Sequence, residues 1–114
     1  MSTRCTINFC DNKKVNAKIY RHSDGNPDSV LPDLKEFFET VEKETKDHRF
    51  NDTDYLAAKF VVWQARQFSR PAGSLDFIGV GVCMKDPGDI QYTYFVNCDK
   101  FTDEGYPQVD HKKV

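Results

Sequence analysis

Two alternating apolar stretches separated by four polar residues open this chain, and they limit what can follow. Residues 3–10 (TRCTINFC) and 15–21 (VNAKIYR) both repeat with a period of two, and the DNKK between them has the residue types of a tight turn. A strand, a hairpin turn and a return strand are the simplest reading. Residues 75–84 (LDFIGVGVCM) and 90–98 (IQYTYFVNC) repeat the arrangement around KDPGD, so they read as a second hairpin. The tail PQVDHKKV offers an optional last strand.

The interval between the hairpins has helical periods. Ser29 can cap a first helix, with Pro32 tolerated in its first turn, where amides are unpaired. Val30, Leu31, Leu34, Phe37, Phe38 and Val41 fall on one stripe at about 100° per residue. A second helix opens among Asn51, Asp52 and Thr53, all competent caps, and runs to the residues before Pro71. Ala57, Val61, Ala65 and Phe68 form one apolar face of it, and Leu56, Phe60 and Trp63 form another. A helix apolar on two sides is buried deeply, or it packs on its own sheet and on a second subunit. The order β-β-α-α-β-β, with an optional fifth strand, predicts one α+β domain over residues 1–114: an antiparallel sheet with two helices on one face.

The chain's 114 residues fit one hydrophobic core, and no apolar run reaches the roughly 18 residues of a membrane span. The start, Met-Ser-Thr-Arg-Cys, lacks a secretory apolar segment, so a cytoplasmic location is expected. A net charge of −2 argues against a broad nucleic-acid surface but not against a local basic site. Cys5, Cys10, Cys83 and Cys98 lack zinc-site spacing and are expected to be ordinary buried thiols. No metal or other cofactor is expected.

Three constellations can carry chemistry. Tyr20, Arg21, His22 and Asp24 sit at a strand end and its loop, a common place for functional side chains. In the chemical reading, His22 is a base oriented by Asp24, and Arg21 holds an anion. In the structural reading, Asp24-Gly25 and Asn26-Pro27 make successive turns and Arg21 pairs with Asp24. On the second helix Lys59, Arg66 and Arg70 project within roughly 40° of one another, beside Trp63. Cations next to an indole can hold a phosphate and stack a base; the alternative is a solvated face with Trp63 turned into the core. Third, Gly79 and Gly81 leave room above their strand beside Tyr92 and Tyr94, either for a flat ligand or for close helix packing. Phosphate-loop, dinucleotide, zinc-protease and nucleophile-elbow motifs do not occur.

TRC near the start, IYRHSDGNPDSVLPDL, FNDTDYLAAKFVVW and DIQYTYFVNC together resemble a family of small proteins carried by phages, prophages and some bacteria. That family shares a Thr-Arg-Cys start and a Tyr-Arg-x-x-Asp-Gly-x-Pro motif, here Thr3, Arg4, Cys5 and Tyr20, Arg21, Asp24, Gly25, Pro27. Members often have Gly-Tyr-Pro where this chain has Gly25-Asn26-Pro27. The resemblance implies a mobile-element context, in which small proteins commonly antagonise host defence without catalysis.

The leading expectation is therefore a non-enzymatic binder in the host cytoplasm, a homo-oligomer built of dimers through helix two or a sheet edge. It would sequester a cyclic-nucleotide-like signal with Tyr20, Arg21, His22, Asp24, Lys59, Trp63, Arg66 and Arg70. An inhibitor of a CRISPR effector that binds protein, with helix one and Glu36, Glu39, Glu42 and Glu44 as its surface, is the alternative. A small hydrolase using His22 and Asp24 ranks last.

Overall fold

The computed structural model describes residues 2–69, 71 and 73–114. The first hairpin forms as expected. Strands β1 (Cys5–Asp11) and β2 (Lys14–Arg21) pair antiparallel, with Asp11 opposite Lys14. Asn12 (φ 52°) and Lys13 (φ 65°) both occupy the left-handed region, which a two-residue turn of the mirror-image type requires.

Helix α1 (Pro27–Glu44) is capped at Asn26, three residues before the expected Ser29. Pro27 takes the first helical position, where its fixed φ suits the helix and its missing N–H costs nothing. Ser29 and Val30 both donate their amides to the Asn26 carbonyl, and Pro32 consequently lies inside the helix. Val30, Leu34, Phe37, Phe38 and Val41 are buried, which is the stripe expected from the period. Helix α2 (Thr53–Phe68) is capped by Asp52, whose carboxylate accepts from the Tyr55 amide at 3.2 Å.

The second half of the chain is threaded differently from the expected hairpin. Strand β3 is only Val80–Cys83, and it pairs antiparallel with β2. Strand β4 (Tyr92–Phe101) pairs parallel with β1, and β5 (Pro107–Lys113) pairs antiparallel with β4. The sheet order is β3-β2-β1-β4-β5, a mixed five-stranded sheet in an α+β fold. Tight-turn residues do separate β3 from β4, but residues 84–91 form a strap that passes two strands of the sheet. The reason lies in β1. All of Cys5 to Cys10 is buried, so both edges of this strand must be bonded to neighbours. Strand β2 satisfies one edge, and β4 takes the other.

Cys5, Ile7, Phe9, Ile19, Tyr94, Val96 and Cys98 join the inward residues of α1 and α2 in one core cluster. Phe37 meets Phe60 edge-on and Trp63 tilted, and Phe60 and Trp63 stack, with ring centroids 5.2–6.0 Å apart. Of the two readings of α2, deep burial on the sheet and α1 accounts for Leu56, Ala57, Phe60 and Trp63.

Candidate functional site

Arg21 closes β2, and its side chain is 2% exposed. A buried guanidinium needs its charge matched and its N–H groups bonded. Its Nη2 lies 2.8 Å from Asp33 Oδ2, its Nε donates to the Ser23 carbonyl at 3.0 Å, and its Nη1 reaches Gln64 Oε1 at 3.5 Å. The Phe68 ring lies 5.7 Å from its central carbon. Arg21 therefore ties the end of β2 to α1 through Asp33 and to α2 through Gln64 and Phe68. The acid that pairs with Arg21 is Asp33 on α1, not Asp24 as the structural reading had it.

Asp24 instead turns the chain at φ 55°, which presents Gly25 to the amino-terminal residues. The Gly25 amide donates to the Thr3 carbonyl at 2.9 Å, and the buried Tyr94 hydroxyl donates to the Gly25 carbonyl at 2.6 Å. A Cβ on Gly25 would stand 2.8 Å from Thr3 O and 2.9 Å from Cys5 Cβ. The Thr3–Cys5 and Tyr20–Pro27 segments are thus in contact.

His22 shares a hydrogen bond of 2.8 Å between its Nδ1 and the Tyr20 hydroxyl. Among the described residues, His22 and Asp24 make no hydrogen bond to each other; the partner of His22 is Tyr20.

The structure does bring Lys59, Trp63 and Arg66 together, along an apolar groove between α1 and α2 with a volume of about 280 Å³. Trp63 is 4% exposed and forms the floor, so its ring is not open to stack on a base. Lys59 Nζ donates to the His48 carbonyl at 3.3 Å, and Arg66 Nη1 reaches both oxygens of Glu44 at 2.9 Å. Both cations have internal partners. Arg70 lies outside the described residues.

The slot expected beside Gly79 and Gly81 does not form against Tyr92 and Tyr94, because β3 adjoins β2. Gly79 adopts φ 81°, the left-handed region that favours glycine; a Cβ there would meet Phe68 at 3.5 Å, an ordinary contact, and one on Gly81 would meet nothing within 4 Å, so backbone conformation rather than close helix packing accounts for Gly79.

All four cysteines are free, and Cys5, Cys10 and Cys98 are buried. Burial pushes the Cys5 and Cys98 thiols up to about 12 from 9.0. Thiolates are the reactive species, so these groups are chemically quiet. We expect a thiol reagent at pH 8 to modify half-buried Cys83 first and the other three only on unfolding, as read by mass spectrometry. The sign of the alkaline response follows. Below pH 9 the thiols are protonated in folded and unfolded chains alike. Between about 9 and 12 only the unfolded chain releases these protons, so stability falls across that window. Urea midpoints measured from pH 7 to 11 should stay level to about 9 and then decline.

Two features escaped the sequence. The first is the sheet face opposite the helices. Thr6 (0% exposed), Asn8 (1%) and Thr93 (7%) are buried there, beneath the strap of residues 84–91. Lys18 anchors that strap to the sheet through Asp86 at 2.6 Å. The second is the β3 edge, where Val82 is 78% exposed and Met84 99%, near Leu75 (91%) and Phe77 (51%) in the preceding loop. Among the described residues no cluster of three metal-ligating side chains occurs, and no helix is long and apolar enough to cross a membrane. Comparison with models of known protein families, with curated proteins and with solved structures returned no match.

Proposed function

We propose that this chain is a non-catalytic binding protein that blocks a partner protein through its β3 edge, acting as an antagonist of host defence in the cytoplasm. The carrying observation is the asymmetry of the two sheet edges. Strand β5 is guarded by Asp110, His111, Lys112 and Lys113, the charged residues that keep an edge from pairing. Among the described residues no strand pairs with the outer side of β3, and Val82 in it and Met84 just after it are both strongly exposed. An extended apolar segment of a partner adds to such an edge through main-chain hydrogen bonds, with its side chains seated on the apolar residues. The resemblance to small phage proteins supplies the defence context. The internal pairing of Arg21, Lys59 and Arg66, with Trp63 buried, weighs against the nucleotide site read from those residues. The quiet thiols, and Tyr20 rather than Asp24 as the partner of His22, favour binding over hydrolysis.

A homo-oligomer would use the same edge, since two copies can add β3 to β3 about a two-fold axis. Light scattering distinguishes the two uses. A monomer at tens of micromolar leaves the edge for another protein, and a dimer that separates on Val82→Lys assigns it to self-assembly. In bacteria with an active CRISPR or cyclic-oligonucleotide defence, expression of this chain should restore phage infection. Val82→Lys with Met84→Lys should abolish that rescue without changing the melting temperature. Rescue that survives both substitutions would contradict the edge as the working surface.

A further inference from the structure

The face opposite the helices contains a cavity of about 350 Å³ between the strap and strands β4 and β5. Its lining combines Asn8 and Thr93 with the apolar side chains of Val15, Ile90, Phe95 and Val114, and with Lys18, Asp86, Lys112 and Lys113. Asn8 is 1% exposed, and its amide is half satisfied. Its Nδ2 donates to Thr93 Oγ1 at 2.9 Å and to the Tyr94 carbonyl at 3.0 Å. Those acceptors fix the amide's orientation: turning it over would set its oxygen against the Tyr94 carbonyl. Oδ1 is left as a buried acceptor with no donor among the described residues. A buried polar atom without a partner costs about 1–3 kcal/mol, so a ligand that donates to it recovers that cost on binding.

The charges around this cavity are unevenly matched. Lys18 is paired with Asp86, whereas Lys112 and Lys113 have no ion pair among the described residues. On β5, Lys112 lies opposite Thr93 on this face and Lys113 lies opposite Tyr92 on the helix side, so one unmatched ammonium group here calls for an anion. Phe95 offers half-buried aromatic surface, and Asn8 calls for an N–H or O–H donor. A cavity of this size suits a small organic ligand.

We infer that this strap-covered cavity binds a small phosphorylated compound with a planar, N–H-bearing ring, of about mononucleotide size. Its phosphate lies at Lys112, its ring lies on Phe95, and a ring N–H donates to Asn8 Oδ1. This site is on a different face from the β3 edge and does not depend on that edge's role.

Calorimetric titration at low salt with the 5′- and 3′,5′-cyclic monophosphates of the four common nucleosides tests the assignment. Inorganic phosphate and the unphosphorylated nucleosides are the control arms. Saturable binding of at least one mononucleotide is expected, with both control arms at least about tenfold weaker. Lys112→Ala removes one exposed charge and should weaken binding about tenfold or more, the equivalent of one charge-assisted contact, whereas Lys113→Ala, on the other face of β5, should weaken it much less. The Asn8 side-chain amide resonances should shift on titration of the unaltered protein, which avoids a substitution in a buried position. Inorganic phosphate binding as tightly as any mononucleotide would overturn the assignment. So would the absence of saturable mononucleotide binding up to 1 mM, or binding unaffected by Lys112→Ala.

Discussion

Gly25→Ala is expected to destabilise the protein by about 3 kcal/mol, the upper end of the range for overpacking, and to lower its melting temperature by on the order of 10 °C. The new methyl group would meet Thr3 O at 2.8 Å and Cys5 Cβ at 2.9 Å. Neither neighbour is the far end of a flexible side chain. Thr3 O accepts the Gly25 amide, and Cys5 is a fully buried residue of the central strand. Relief would have to come from moving the loop, which would strain the Tyr94–Gly25 hydrogen bond as well. Gly88→Ala is the control, because no atom lies within 4 Å of the Cβ it would add. Calorimetric melting of the two variants should show a large shift for the first and almost none for the second.

Asp33→Ala is expected to have a comparable effect, about 3 kcal/mol, by leaving a buried guanidinium without its counter-ion. That figure sits at the low end for a broken buried pair, because the Asp33 side chain is 31% exposed and water can reach its position. Arg21→Met should cost less, about 1–2 kcal/mol. Met fills much of the same volume, and the charge left behind is the partly solvated one on Asp33. The order matters more than either size. If Arg21 were a ligand-gripping cation tethered loosely by Asp33, losing the acid would scarcely affect folding.

The chain's local periods made its elements legible. The Asn12-Lys13 turn, the apolar stripe of α1 and the Asp52 cap all follow from residue types a few positions apart. The threading of the second half was not legible, because KDPGD has the composition of a hairpin turn whether or not the flanking strands pair. What decides it is the burial of β1 on both faces, which demands a second neighbour from far along the chain. Once β4 pairs with β1, residues 84–91 must cross the sheet, and their crossing creates the strap-covered face around Asn8.

The Tyr20–Pro27 junction was half legible. Its turn-forming residues announced a turn, but Arg, His and Asp side by side carry the same letters for a scaffold and for a binding site. The discriminating fact is where Asp33 lies, nearly two helical turns into α1, and no local pattern states it. Lys59, Trp63 and Arg66 illustrate the same limit. Their shared helical strip was readable, and the structure does place them on one groove. Their partners, Glu44 and the His48 carbonyl, come from the preceding helix and loop. The exposure of Val82 and Met84 was hidden for a related reason: a short apolar run reads as buried until its place at the sheet edge is known.

The central claim is that Arg21 is an internal tie holding the end of β2 to both helices. Urea unfolding of the parent protein, Arg21→Met, Asp33→Ala and the double variant tests it most directly. The account predicts strong coupling: with Met at position 21, removing Asp33 should cost less than about 0.5 kcal/mol, against about 3 kcal/mol when Arg21 is present. Additive losses, or an Asp33→Ala protein as stable as the parent, would contradict it.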